Sequence, residues 1–198
     1  MLTNNDGFNC LTPRVIVTHA DWPQRQEFLE EFGRQLKQVP TRLAYYPGAK
    51  SRQEKFLASA QTFEKFGLED DTHMAWTVIE NVPSTDHANI AFNQEAWCSL
   101  ITETALPAEG IDDFCTVATK FCNEVLWGTL SANVLVHPRE MRAHREAVDS
   151  LVAELEYGSI GLNAWSAASL ALSTPVWGAY PGHPPTEIQS GERKSTRL

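Results

Sequence analysis

The chain has 198 residues, of which 42% are hydrophobic, 21% charged and 10% aromatic, and 16 Lys and Arg stand against 25 Asp and Glu. That length suits one ordinary domain or two very small ones, with no staple needed, and the composition excludes a disordered chain, a collagen-like repeat and a disulfide miniprotein. The resulting net charge of −9 is wrong for a reader of phosphate backbones, so no nucleic-acid partner is expected. No apolar run approaches the ~20 residues of a bilayer span, and MLTNNDGFNC has neither a basic leader nor the apolar core of a signal peptide. A cytoplasmic protein off the membrane is expected. Cys10, Cys98, Cys115 and Cys122 lack C-x-x-C or C…H spacing, so reduced thiols are expected and zinc is not.

Strand-like and helix-like segments alternate along the chain. RVIVTHA (14–20) is a β-branched run, closed by the turn Asp21-Trp22-Pro23. The spacing of Phe28, Leu29, Phe32, Leu36 and Val39 predicts a helix over 24–39, ended by Pro40. After the Pro47-Gly48 turn, Phe56, Leu57, Ala60 and Phe63 predict a second amphipathic stretch over 51–66. MAWTVIENV (74–82) and AWCSLITE (96–103) read as short strands. Asp112 and Asp113 open a helix expected to bury Phe114, Val117, Ala118, Phe121 and Val125. Strand ANVLVH (132–137), a helix from Pro138 to about Tyr157, and strand SIGLN (159–163) then form a crossover unit of a parallel sheet. From 164 onward the pattern gives way to small residues, Pro and Gly, and GERKSTRL reads as a loose tail. No repeat or linker divides the chain. The fold class is α/β.

The informative stretch is Asn5-Asp6-Gly7-Phe8-Asn9-Cys10, directly before the first strand. A thiol on a tight Gly-containing loop can be partly exposed among backbone N–H groups, which favours a thiolate and stabilises an oxyanion formed by its attack. The same position also suits a small apolar side chain under a turn. This segment resembles the cysteine motif of the aldehyde dehydrogenase superfamily, F-x-N-x-G-Q-x-C. Asn5, Gly7 and Cys10 are kept, with Thr3 for the Phe and Phe8 for the Gln. Further segments match in the family's order. Gln94-Glu95-Ala96-Trp97 resembles E-[IV]-F-G-P, and Asn123 to Gly128 resembles A-N-x-x-x-Y-G-L. Gly158 to Asn163 resembles the G-x-V-x-[VI]-N strand, and Pro175-Val176-Trp177-Gly178 the P-F-G-G loop.

The resemblance implies a parallel-sheet catalytic domain with flanking helices over 1–183, followed by a tail over 184–198. It implies Cys10 as the nucleophile, with its own backbone N–H as one oxyanion donor. Glu95 would hold the nicotinamide ribose of NAD or NADP, with Trp97 beside the ring. Asn163 would lie near the substrate tunnel. Apart from the resemblance, Trp165, Trp177 and Tyr180 cluster in the loop-rich tail, which suits a substrate entrance or plain packing equally. The reaction implied is oxidation of an aldehyde to an acid through a thiohemiacetal and a thioester. Cys98 and Ser99 replace the usual Gly-Pro, so the substrate does not carry over. In the family the cofactor-binding half, the general-base glutamate and the oxyanion asparagine precede the cysteine motif. The expected partners are therefore that half or a homo-oligomer partner, and the chain alone is expected to be inactive. A non-catalytic remnant or interaction subunit is the alternative. Cys115 and Cys122, seven apart, are expected as core thiols and Cys98 as buried. His137 reads as a turn residue, and His19, His73, His87, His144 and His183 have no partner at ligand spacing.

Overall fold

The computed structural model describes residues 1–175, 177–182, 184 and 186. Val176, His183 and all of the expected tail except Pro184 and Thr186 lie outside the described residues. The chain forms two compact units, Met1–Pro107 and Ala108–Leu198. Among the described residues, no helix is long and apolar enough to cross a membrane.

In the first unit, β1 (Val15–His19) leads to α1 (Arg25–Leu36), which buries Leu29, Gly33 and Leu36 at helical spacing. Gly33 is required there, because a Cβ would strike the Phe66 ring. α2 (Ala49–Ala58) follows the left-handed Gly48 and buries Ala49, Gln53 and Phe56. The expected 51–66 helix then divides. Ser59 Oγ donates to the Phe56 carbonyl at 2.8 Å, closing α2, and Thr62–Phe66 forms β2. Phe63 and Phe66 are three apart, one face of a helix but opposite faces of a strand, and antiparallel pairing with β3 (Trp76–Glu80) imposes the strand. Phe66 is buried, whereas Phe63 is 44% exposed.

After α3 (Ile90–Asn93), capped by Asn89, comes β4 (Leu100–Leu106). The sheet order is β1-β4-β3-β2. β4 is central and parallel to both neighbours, with Val15 opposite Thr102 and Val78 opposite Ile101. So enclosed, it buries nearly every side chain, as a parallel strand covered on both faces does. The expected parallel sheet holds for these pairs, and the antiparallel β2 is the exception. One core cluster joins Leu2, Leu36, Phe66, Trp76, Val78 and Ile101. Within β4, Glu103 is fully buried. Arg25 holds both its oxygens, at 3.0 and 2.7 Å, while the Thr18 hydroxyl and the Asn81 backbone N–H also donate to it.

In the second unit, α4 (Ile111–Glu124) carries Asp112 and Asp113 in its first turn, where the helix dipole favours them. It buries Cys115, Ala118, Thr119 and Phe121, and leaves Phe114 and Val117 half-buried. β5 (Ser131–Val134) and β6 (Ser159–Leu162) pair in parallel, as the sequence predicts. The helix expected between them is two: α5 (Pro138–Ala143) and α6 (Arg145–Glu154). His144 leaves the helical region (φ −118°, ψ 38°), with its Nδ1 2.7 Å from Asp112 Oδ1. His137 caps α5, its Nδ1 accepting from the Arg139 N–H at 3.2 Å. A 3-10 turn over Ser166–Ala171 follows β6.

Candidate active site

The first ten residues fold as a tight loop because three consecutive ones are left-handed: Asn5 (φ 49°), Asp6 (57°) and Gly7 (78°). Asn tolerates this region and Gly favours it. A Cβ on Gly7 would also collide with the Cys98 carbonyl, so glycine lets this loop lie directly against the 95–99 segment. Phe8 anchors it, stacking on Tyr46 at 5.5 Å and meeting Tyr45 edge-on at 5.1 Å. Asn5 Nδ2 donates to the Phe8 carbonyl and to the Tyr45 hydroxyl, both at 2.9 Å. Asn9 Oδ1 accepts from the Leu11 N–H at 2.8 Å, fixing the exit of the loop. Cys10 stands exposed between these anchors.

The expected strand over 96–103 begins only at Leu100, which leaves 94–99 as a loop. Trp97 is itself left-handed, at φ 42°. Its indole N–H donates to Glu95 Oε2, and its ring stacks on Tyr46 at 5.6 Å and 15°. Arg52 clamps the backbone here, donating to the Ala96 carbonyl at 3.0 Å and the Trp97 carbonyl at 2.9 Å. The same guanidinium lies 5.5 Å over the Tyr46 ring. Gly7, Asn9, Cys10, Glu95, Trp97 and Cys98 thereby line one open depression of about 30 Å³.

The structure therefore brings Cys10, Glu95 and Trp97 together. It also supplies two supports the sequence reading missed, Tyr46 and Arg52. Their signal was an aromatic pair before the Pro47-Gly48 turn and an arginine one turn into the next helix. The remaining thiols differ from Cys10 in kind. Burial pushes the Cys98 and Cys122 thiols up to about 12 and raises that of Cys115.

The other expected site residues belong to the second unit. Asn163 spends both ends of its amide on the backbone of Val136, each at 2.8 Å. Trp165 is half-buried, and Trp177 is 37% exposed. Tyr180 is half-buried. Asn123, from the motif ending at Gly128, bridges the end of α6 by contacting the Glu154 carbonyl and the Glu156 N–H. Among the described residues, no group of three or more His, Cys, Asp or Glu could hold a metal ion.

No protein-family model matches the sequence, and no curated protein matches it. Solved structures do match. Aldehyde dehydrogenase 21 from Physcomitrella patens, solved with the reaction product succinate, superposes with a TM-score of 0.69 at 16% identity. That match covers 90% of this chain and 36% of the other. An NAD-dependent aldehyde dehydrogenase from Sinorhizobium meliloti gives 0.63 at 14% identity, over 83% of this chain and 32% of that one. An NADP-dependent glyceraldehyde-3-phosphate dehydrogenase from Bacillus halodurans, solved with NADP, gives 0.64 at 12%, over 81% and 33%. The chain has the fold of part of an aldehyde dehydrogenase. It spans about a third of the length of these structures.

Proposed function

We propose that residues 1–183 form a catalytic domain of an NAD(P)-dependent aldehyde dehydrogenase, oxidising an aldehyde to a carboxylic acid through a thioester on Cys10. The observation that carries this reading is the shared depression. Residues from opposite ends of the first unit meet there as an exposed thiol, a carboxylate and an aromatic ring.

In this reading the Cys10 thiolate attacks the aldehyde carbon. The C–S bond forms, and the carbonyl pair moves to oxygen beside the Cys10 backbone N–H. Bound NAD or NADP supplies the hydride acceptor. Two features fit such a group. An ionised carboxylate has about four acceptor positions, and Glu95 gives one to the Trp97 indole, leaving others for ribose hydroxyls. Trp97 is held rigid by Tyr46 and Arg52, so a planar ring beside it meets a fixed wall. The general base that activates water against the thioester is assigned to a segment other than these residues. Because the chain spans about a third of the length of its structural neighbours, the rest of the cofactor site is assigned to a partner segment, and the chain alone is read as inactive. Its place of work is the cytoplasm, and its partner is a cofactor-binding half or a second copy.

Limited iodoacetamide treatment of the folded chain, followed by peptide mapping, tests the nucleophile. Cys10 should be alkylated at least about tenfold faster than Cys98, Cys115 and Cys122, whose thiolates are suppressed by burial. Equal labelling of the four thiols, or Cys10 lagging, would overturn the assignment.

A further inference from the structure

Asp6 lies in the middle of the left-handed turn that leads to Cys10, and it is only 1% exposed. No hydrogen bond of normal geometry reaches either carboxylate oxygen among the described residues, and the Arg42 backbone N–H acts on the group only by a weaker approach. Burying an ionised carboxylate without partners is far more costly than burying the neutral acid. We infer that Asp6 is a positioning residue for Cys10: its protonated carboxyl docks the 4–10 loop, and loss of that proton loosens it. The importance of the docking rests on the reading of Cys10 as the nucleophile. The docking itself does not.

The groups facing Asp6 come from three segments. Arg42 precedes the Tyr45-Tyr46 pair, His73 precedes β3, and Cys98 precedes β4. Burial pushes the Asp6 carboxyl up to about 6, against the opposing pull of the Arg42 backbone N–H, the Arg42 guanidinium and His73. His73 is itself engaged by Asp70 at 3.1 Å, and the Cys98 thiol stays neutral up to about 12. The docked carboxyl thus holds its proton more tightly than a solvated one, whose pKa is about 4. Docking is complete below about pH 4, weakens progressively up to about pH 6 and is constant above it. Two pH units of linkage correspond to a loss on the order of 100-fold in the docking equilibrium.

Hydrogen exchange of the full chain between pH 4 and 8, corrected for intrinsic exchange rates, reads this directly. Protection of a peptide spanning residues 2–10 should fall on the order of 100-fold from pH 4 to 6 and then level off. A peptide spanning residues 100–106 should keep its protection across the range. Asp6→Asn should flatten the 2–10 profile. A flat profile in the unaltered chain, or a step that persists in Asp6→Asn, would overturn the proposal. If the variant does not fold, carbon-13 titration of the Asp6 carboxyl in the unaltered chain decides: a midpoint near 6 supports the proposal, and one near 4 sinks it. Cys10→Ser should reproduce the unaltered profile, and loss of the step there would also count against the proposal. A failed alkylation test therefore leaves this result standing, and a flat exchange profile leaves the nucleophile reading standing.

Discussion

Gly7 joins local conformation to the site more directly than any other residue. It combines a left-handed φ of 78° with an approach to the Cys98 carbonyl that leaves no room for a methyl group. Gly7→Ala should therefore destabilise the chain by about 2–3 kcal/mol, in the range of overpacking, as measured by urea denaturation. It should also expose Cys98 to alkylation, since the loop that covers its backbone would have to lift. Gly7, Cys10, Glu95 and Trp97 were legible in the sequence because each sits in a short ordered motif. Tyr46 and Arg52 were not, since their roles come from stacking and from carbonyls at positions 96 and 97 that only the fold brings near. Asp6 was invisible for a related reason. A carboxylate in a turn ordinarily faces water, and nothing in the neighbouring residues signals that this one is covered.

The elements show where pattern reading succeeds and where pairing overrules it. β1, α1, β3, α4 and the parallel β5–β6 pair follow from apolar spacing and turn residues. The errors fall where strand pairing overrules a helical spacing, as at Phe63 and Phe66, or where a longer helical pattern breaks at one residue, as at His144. The start of β4 was misjudged because Ala96, Trp97 and Cys98 look strand-like, yet Trp97 is left-handed. The fully buried Glu103 inside β4 depends on one cation from the start of α1. Arg25→Met would leave that carboxylate buried with too few donors and should cost about 3–5 kcal/mol, the usual penalty for breaking a buried pair. Equilibrium unfolding in urea checks this. A loss below about 1 kcal/mol would mean that Thr18 and Asn81 suffice.

For the molecule as a whole, each unit leaves large apolar side chains in solvent. Leu43, Tyr45 and Leu68 are each more than half exposed in the first unit, as are Leu135, Leu170 and Leu172 in the second. Exposed apolar side chains taken singly are ordinary, but the proposed partner half or second copy would give these a surface to pack against. The purified chain should therefore self-associate, with light scattering showing a mass that rises with concentration. A clean monomer at high concentration would instead describe a self-sufficient protein.

The parallel pairing of Val15 with Thr102 also governs when the fold can assemble. β1 is made before the other strands of its sheet, yet among the described residues the strand it pairs with is β4, so nearly the whole first unit must be synthesised before the two can pair. Gly7 likewise has to wait for Cys98. Closing so long a loop ahead of any compensating contact is slow. On the ribosome, the Cys10 segment therefore lacks its contacts with the 95–99 segment until the fourth strand emerges. Its exposure to oxidants, proteases and chaperones is set by translation speed and not by the stability of the finished protein.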